Sequence, residues 1–345
     1  MKVKLIGIDL AKDIFQICAL NQSGKVVFNK YVRHKELVKQ IQKIESTTIA
    51  MESCSSANYW GRLFRDMGHN VMLIPPQHGK PFVRGGKNDA RDALAICEAA
   101  QRPGLHTVPI KTLEQQDLQL LHRVRQRYIR NSTALSNQIR GIAREYGVRF
   151  PVGIKALFKA LPMELENAEN ALTPVARDML HELYIELGNM RDKNKAMLLK
   201  IIELATQHPA YQHLQELPGV GPIVASAMIA AIGDGRQFRN GRQMGAWLGL
   251  VPRQYGSGGK VTLYGITKNG DRYLRTLIIH GARAALLWAR KKNKTTPLGK
   301  WLLPIEQRRG ANRATVALAN KIVRISWNIL AKGEAYDSRK AFALA

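Results

Sequence analysis

Two aspartates, Asp89 and Asp92, sit three residues apart in the stretch RGGKNDARDALAI, where a helix is expected to start. On a helix such positions are neighbours about 5–6 Å apart, so two carboxylates placed there repel each other. Either they serve the helix itself, as an N-cap and a first-turn acid that complements the helix dipole, or they share a cation. Two further acids end apolar runs that read as buried strands: Asp9 in GIDLAK and Glu52 in IAMESC. Taken singly, Asp9 is a turn former and Glu52 a side chain reaching solvent. Taken together, Asp9, Glu52, Asp89 and Asp92 form a set of hard oxygen donors. Such a set suits divalent ions, most simply a Mg²⁺ pair about 3.5–4 Å apart with Mn²⁺ as a substitute, and such a pair polarises a phosphodiester. A second candidate lies far downstream in YGSGGK. There Ser257 is flanked by glycines, with Lys260 close behind and Tyr255 as a rival hydroxyl. Small neighbours let a backbone and a hydroxyl come close to a phosphate.

The elements around the acids must bring them together. Residues 1–110 read as three strands, helix, strand, helix, strand, helix, with QSG joining strands two and three as a hairpin. This order describes an α/β domain with a mixed sheet, and it resembles the RNase H-like sheet, in which the first and fourth strands are neighbours. Asp9 and Glu52 would then project from adjacent strands, and a helix after the fifth strand would add Asp89 and Asp92 at the same edge. Residues 111–207 read as nearly all helix: one long helix from about Leu113 to Tyr146, and a second with the stripe Val175, Met179, Leu183, Leu187, Met190, Met197, Ile201, Leu204. The pattern implies an antiparallel hairpin or coiled coil, broken around FPVGIKALFKALP, that serves as core or oligomer interface. Residues 208–345 read as mainly α. They open on LQELPGVGPIVASAMIAAIGD, in which Gly219 and Gly221 form a turn between two apolar helices. That turn is either a helix-hairpin-helix element whose amides hold a DNA phosphate or a plain packing turn. A Gly-rich loop follows, PRQYGSGGKVTLYGITKNGDRYLR, and then basic helices.

The charge points to the partner. The 345-residue chain carries 53 Lys+Arg against 26 Asp+Glu, a formal net charge of +27. Residues 216–345 hold 22 basic and 6 acidic side chains, so this last third carries +16 of the excess. A surplus of this size implies a polyanion, most simply nucleic acid, and Arg253, Lys260, Lys268, Arg272 and Arg275 are the expected phosphate contacts. Cys18, Cys54 and Cys97 lie in apolar or small-residue surroundings with no close pair in sequence, as expected of buried thiols in a reducing cytoplasm. No 18-residue apolar run and no signal peptide is present, so a soluble, cytoplasmic protein is expected. The spacing excludes zinc enzymes, which need close cysteine pairs or His-Glu-x-x-His. None of the five Gly-Lys pairs precedes Ser or Thr, which excludes a Walker A loop. A sugar-kinase or actin-like ATPase would need Gly and Thr or Ser after GID, where Leu10, Ala11 and Lys12 stand.

GIDLAK, AMES and KNDARDA together resemble the Asp-Glu-Asp-Asp transposases of bacterial insertion sequences with a RuvC-like N-terminal domain. LPGVGPIVASAMIAAIGD, WLGLVPRQYGSGGK and GITKNGDRYLR resemble that family's C-terminal transposase domain. The resemblance implies a RuvC-like catalytic domain at 1–110, a helical linker and oligomerisation region at 111–207 and a serine-bearing transposase domain at 208–345. It implies that Asp9, Glu52, Asp89 and Asp92 bind metal and that Ser257 attacks DNA, forming a phosphoserine that conserves the phosphodiester energy. It further implies a structured non-coding guide RNA from the same element that pairs with donor and target DNA. It also implies a homo-oligomer, dimer or tetramer, in which the serine loop of one protomer completes the acidic site of another. Gly256 departs from relatives with a second serine or another residue there. The competing readings are a hydrolytic RuvC-like junction resolvase that uses the acids and water, and a nucleic-acid-binding protein with an inactive metal site.

Overall fold

A computed structural model of the chain describes residues 2–82, 88–292 and 295–343; Lys87, the first residue of KNDARDA, lies outside them. The chain divides into two compact units, Met1–Thr112 and Leu113–Ala345.

The first unit is a five-stranded mixed sheet in the order β3-β2-β1-β4-β5. Its strands are β1 (Val3–Asp9), β2 (Ile14–Asn21), β3 (Val26–Arg33), β4 (Thr48–Glu52) and β5 (Asn70–Ile74). The first three form an antiparallel meander, while β4 runs parallel to both β1 and β5. This is the RNase H-like order, with the first and fourth strands side by side. Its helices are α1 (His34–Gln42), α2 (Ala57–Asp66), the short α3 (Pro76–Gly79) and α4 (Asp89–Ala100).

The period-two alternation of each strand sorts its side chains between two cores. On one face, Ile6, Ile8, Phe15, Ile17, Ile49 and Met51 pack with Leu37 and Ile41 of α1 and Trp60 and Phe64 of α2. Full burial of an aromatic such as Trp60 or Phe64 stabilises the fold by about 1.5–3 kcal/mol. On the other face, Leu5, Cys18, Leu20, Ala50 and Ile74 meet Ala93, Ile96, Cys97 and Ala99 of α4. Gly7, Asp9, Gln16 and Glu52 share the parity of this second set and so belong to the α4 face.

The second unit begins with two long helices, α5 (Leu113–Glu145) and α7 (Pro174–Thr206). Ile139 shares a core with Ala176 and Leu180, while Leu118 shares another with Ile201 and Ala205, the pairing of an antiparallel hairpin. Between them, the stretch expected to break the hairpin forms a helix of its own, α6 (Ile154–Glu166), which packs Leu157 and Leu161 into the hairpin's far end. The expected stripe on α7 is shifted in phase over its first turns. Val175 and Met179 are exposed, and Ala176 and Leu180 are buried instead; further along, Leu187 and Ile201 are buried as expected.

Helices α8 (Ala210–Gln215), α9 (Pro222–Ile232), α10 (Gly241–Trp247), α11 (Arg272–Lys292), α12 (Pro297–Arg309), α13 (Ala311–Lys332) and α14 (Ser338–Ala341) complete the unit. Between α10 and α11 the expected Gly-rich loop is instead a two-stranded antiparallel ribbon, β6 (Pro252–Ser257) and β7 (Lys260–Ile266). Among the described residues no helix is long and apolar enough to cross a membrane. Cys18 and Cys97 are buried, as expected; Cys54 is exposed. In space Cys97 donates to the Cys18 carbonyl at 3.5 Å, so these two, remote in sequence, are neighbours across the α4 face.

Candidate active site

Asp9 is the last residue of β1, and Asp89 and Asp92 belong to the first turn of α4. The helix start is fixed by neither acid. Asn88 takes extended backbone angles (φ −156°, ψ 129°), and its Oδ1 accepts from the Ala90 N–H at 2.9 Å. Its carbonyl accepts from the N–H groups of Arg91 and Asp92, both at 2.9 Å. The reading of Asp89 as N-cap is therefore corrected: Asn88 does that work, which leaves both aspartate side chains available. An Asn directly before a helical run is a start signal that the eye drawn to the acids passes over.

Gly7 lets α4 settle onto the sheet. A Cβ at this position would stand 2.4 Å from the Ala93 carbonyl oxygen and 2.6 Å from Cys97 Sγ. The N-terminal end of α4 is tethered from the meander as well. Asn29 of β3 donates its amide to the Ala90 carbonyl at 2.8 Å, and Gln16 of β2 donates to Asn29 Oδ1 at 2.5 Å. Gln16 is only 3% exposed and is the register partner of Asp9. Neither Gly7 nor the Gln16–Asn29 pair was singled out in the sequence. A glycine inside an apolar strand is, however, a recognised sign of close backbone approach.

The outcome is a cluster in which Asp9, Asp89 and Asp92 each bring a carboxylate oxygen within 4.8 Å of the others. Glu52 lies outside that group. It ends β4 on the α4 face, paired with Ile74, one residue past the Ile8–Met51 pair and thus level with Asp9. Three carboxylates gathered by rigid elements form an all-oxygen donor set, which fits a hard divalent cation.

Ser257 occupies the tip of the β6–β7 ribbon. The turn is Gly258-Gly259, both with positive φ (+56° and +78°), the conformation a two-residue hairpin turn requires. Ser257 pairs with Lys260 and Tyr255 with Thr262. Alternation therefore puts the serine hydroxyl, the lysine and Tyr255 on one face of the ribbon. Both strands are exposed along almost their whole length, and Tyr255 is 68% exposed.

Comparison with known proteins settles the family. A model described as Transposase IS116/IS110/IS902 family matches residues 211–296, and a DEDD transposase model of IS110 elements matches residues 6–148. The transposase for insertion sequence element IS1111A of Coxiella burnetii is 42% identical over 97% of this chain and 91% of its own length. A probable family 20 transposase of Pseudomonas aeruginosa is 43% identical over 97% of this chain and 99% of its own. The transposase for insertion sequence element IS1328 of Yersinia enterocolitica is 36% identical over 97% and 99%. The chain belongs to the IS110/IS1111 family of transposases.

A transposase cleaves and joins DNA strands, and the acidic cluster of this one is consistent with a divalent metal. Its expected basic contacts fall into two kinds. Arg253, Lys260, Lys268 and Arg272 are exposed. Lys268 is a non-glycine residue with positive φ (60°), held by its N–H bond to the Gly249 carbonyl at 3.1 Å. Arg275 is different. It is 8% exposed, and its guanidinium donates to the Leu248 carbonyl at 3.2 Å and to the Asn269 carbonyl. The expectation that it meets phosphate is corrected: it ties the two ends of the ribbon segment together from beneath.

The glycine turn of the transposase also divides. Gly219 (φ +78°) abuts α11, where a Cβ would stand 2.2 Å from the Gly281 carbonyl oxygen, so its smallness is required by packing. A Cβ on Gly221 would meet open space.

One buried polar site had no sequence signal. His122 of α5 lies between Ser226 of α9 and Tyr273 of α11, at 3.0 Å from each hydroxyl. Because Ser226 Oγ donates to the Pro222 carbonyl at 2.7 Å, it accepts from His122 Nε2; Nδ1 then accepts from Tyr273. Burial first, and Arg125 second, push the His122 pKa down to about 4, while Asp271 pulls the other way.

Proposed function

We propose that this transposase is an RNA-guided DNA recombinase in which Asp9, Asp89 and Asp92, with Glu52 beside them, hold Mg²⁺ and Ser257 attacks the DNA. The observation that carries the reading is the convergence of three aspartates from a strand end and a helix start, elements remote in sequence, on one point. Bound there, Mg²⁺ would polarise the scissile phosphodiester and neutralise charge that develops on its oxygens. The protein's own part is positional. β1 and α4 fix the carboxylates, and the ribbon offers an unencumbered hydroxyl. Attack forms a bond from Ser257 Oγ to phosphorus, breaks the phosphorus–oxygen bond to the departing strand and releases the serine proton; the reverse reaction rejoins a strand without ATP. Lys260, paired with Ser257, is suited to the phosphate oxygens. Arg253, Lys268, Arg272 and the Gly221 turn are suited to backbone beyond it.

We assign catalysis by the acids to residues 1–110, oligomerisation to 111–207 and the serine to 208–345. The exposed Val175, Met179 and Leu199 of α7 support a homo-oligomer. The +16 carried by residues 216–345 supports a guide RNA as well as donor and target DNA.

The test is a denaturing gel for a covalent protein–DNA adduct, run with the element's flanking RNA, donor and target DNA and Mg²⁺. Wild type should give the adduct and Tyr255→Phe should retain it, while Ser257→Ala, Asp9→Ala and Asp92→Ala should not. Cleavage without adduct in wild type and Ser257→Ala alike would mean a water-using nuclease. Cleavage retained in Asp9→Ala or Asp92→Ala would remove the metal assignment.

A further inference from the structure

A cleft in the second unit plays no part in the reading above. It is an open cleft of about 480 Å³ lined by the start of α10, by α13 and by residues 334–341. The close approach of α10 to α13 depends on Gly241, where a Cβ would stand 2.7 Å from the Arg324 carbonyl oxygen. Four cations line the cleft: Arg242, Lys321, Arg324 and Lys340.

The cleft's two carboxylates are already engaged. Glu334 pairs with Lys332 at 3.4 Å. Asp337 caps α14, accepting from the N–H groups of Arg339 and Lys340. Among the described residues none of the four cations forms an ion pair with a carboxylate. Lys321 and Arg324 are three apart on α13, so they are neighbours of like charge, an arrangement that destabilises a helix unless an anion intervenes. Burial, and then Arg324, push the Lys321 ammonium below the ordinary lysine value. Aromatic rings of Trp301 and Phe342 flank Lys321, with its Nζ 5.4 Å and 6.0 Å from their centroids. Lys321 is partly buried while Arg242, Arg324 and Lys340 are exposed, so one cleft gathers four positive charges that solvent and a large anion can both reach, with its local acids engaged elsewhere.

We propose that this cleft grips the sugar–phosphate backbone of a nucleic-acid strand, with Arg242, Lys321, Arg324 and Lys340 meeting its phosphates. The volume suits a phosphate with part of its nucleotide. A transposase meets its phosphate as a polymer, and the cleft lies within the segment that carries most of the excess charge. The site adds a grip that shares no residue with the serine ribbon and is independent of the metal chemistry.

The experiment is binding of fluorescent nucleic acid to the full chain, measured in EDTA so that the outcome does not depend on the acidic cluster. The probes are duplex DNA from the element's ends and single-stranded RNA from its flanks, each titrated over a range of salt. Arg242→Ala/Arg324→Ala should weaken binding about tenfold at physiological salt. It should also flatten the plot of log affinity against log salt by about 0.9 per phosphate lost on duplex, or about 0.7 on single strand. Arg242→Lys/Arg324→Lys should restore most of that slope, which a merely structural role would not produce. A loss confined to the duplex assigns the cleft to DNA, and one confined to the single strand assigns it to RNA. Unchanged affinity and slope on both probes would overturn the proposal. So would an equal loss in the charge-matched control Lys35→Ala/Lys39→Ala on α1.

Discussion

Gly7 of β1 lies directly beneath Ala93 of α4, with so little space between that a methyl group on Gly7 would reach within 2.4 Å of the Ala93 carbonyl oxygen. Backbone cannot yield as a side-chain tip does, so Gly7→Ala must lift or slide α4. Asp89 and Asp92 travel with that helix, while Asp9, two residues along β1, stays. A misplacement of about 1 Å at a reacting centre costs on the order of 100-fold in rate. Gly7→Ala is therefore expected to lose DNA cleavage by about that factor while nucleic-acid affinity is kept. Wild-type cleavage in the variant would show that the helix position does not matter.

The four acids are not equivalent. Asp9 and Asp92 belong to the group within 4.8 Å, and Glu52 stands outside it. Asp9→Asn and Asp92→Asn should abolish Mg²⁺-dependent cleavage. Glu52→Gln should instead weaken apparent Mg²⁺ affinity by about 10–100-fold, the range for groups that orient metal ligands. Titrating Mg²⁺ in each variant separates the two behaviours, and a total loss in Glu52→Gln at saturating metal would make it a direct ligand.

Arg275 is a folding residue in a place where the charge pattern advertises a nucleic-acid contact. Its removal leaves the Leu248 and Asn269 carbonyls without their donor, each such loss costing about 1–3 kcal/mol. Arg275→Ala should lower stability by about 2–4 kcal/mol in chemical denaturation. An unchanged unfolding midpoint together with weakened DNA binding would return it to the phosphate contacts.

His122 gives the second unit a defined acid sensitivity. Its folded pKa of about 4 lies below the usual 6.5, so the unfolded chain binds the extra proton between those values. Stability is intact above about pH 6.5 and falls as pH drops toward 4, by roughly 3 kcal/mol from this group. His122→Asn, compared with wild type by thermal unfolding at pH 7.5 and 4.5, should show a smaller drop between the two. Equal drops would mean that His122 does not titrate on unfolding.

The strands and the hairpin between β2 and β3 were legible because alternation and turn residues are local signals that a buried sheet obeys, whereas the neighbouring of Asp9 and Glu52 came from the resemblance of the element order to an RNase H-like sheet. The phase of α7 was not. A helix with apolar residues on both faces, such as Val175 beside Ala176, announces its period without saying which row is covered. Arg275 was misread because sequence shows a charge but not the carbonyls that converge on it. The ribbon was legible in principle: Gly258-Gly259 between Tyr255 and Val261 is a hairpin signal, hidden by the density of glycines around it.

The exposure of the β6–β7 ribbon on both faces has a consequence for mutagenesis. A lone two-stranded ribbon gains little from its own folding, and surface substitutions usually change stability by less than about 0.5 kcal/mol. Changes at Tyr255, Ser257, Lys260 or Thr262 will leave expression, solubility and melting temperature almost as they were. Any survey that ranks variants by abundance or thermal tolerance will thus score the ribbon tip as neutral ground, and the role proposed for Ser257 would register only in a readout of DNA joined or left broken.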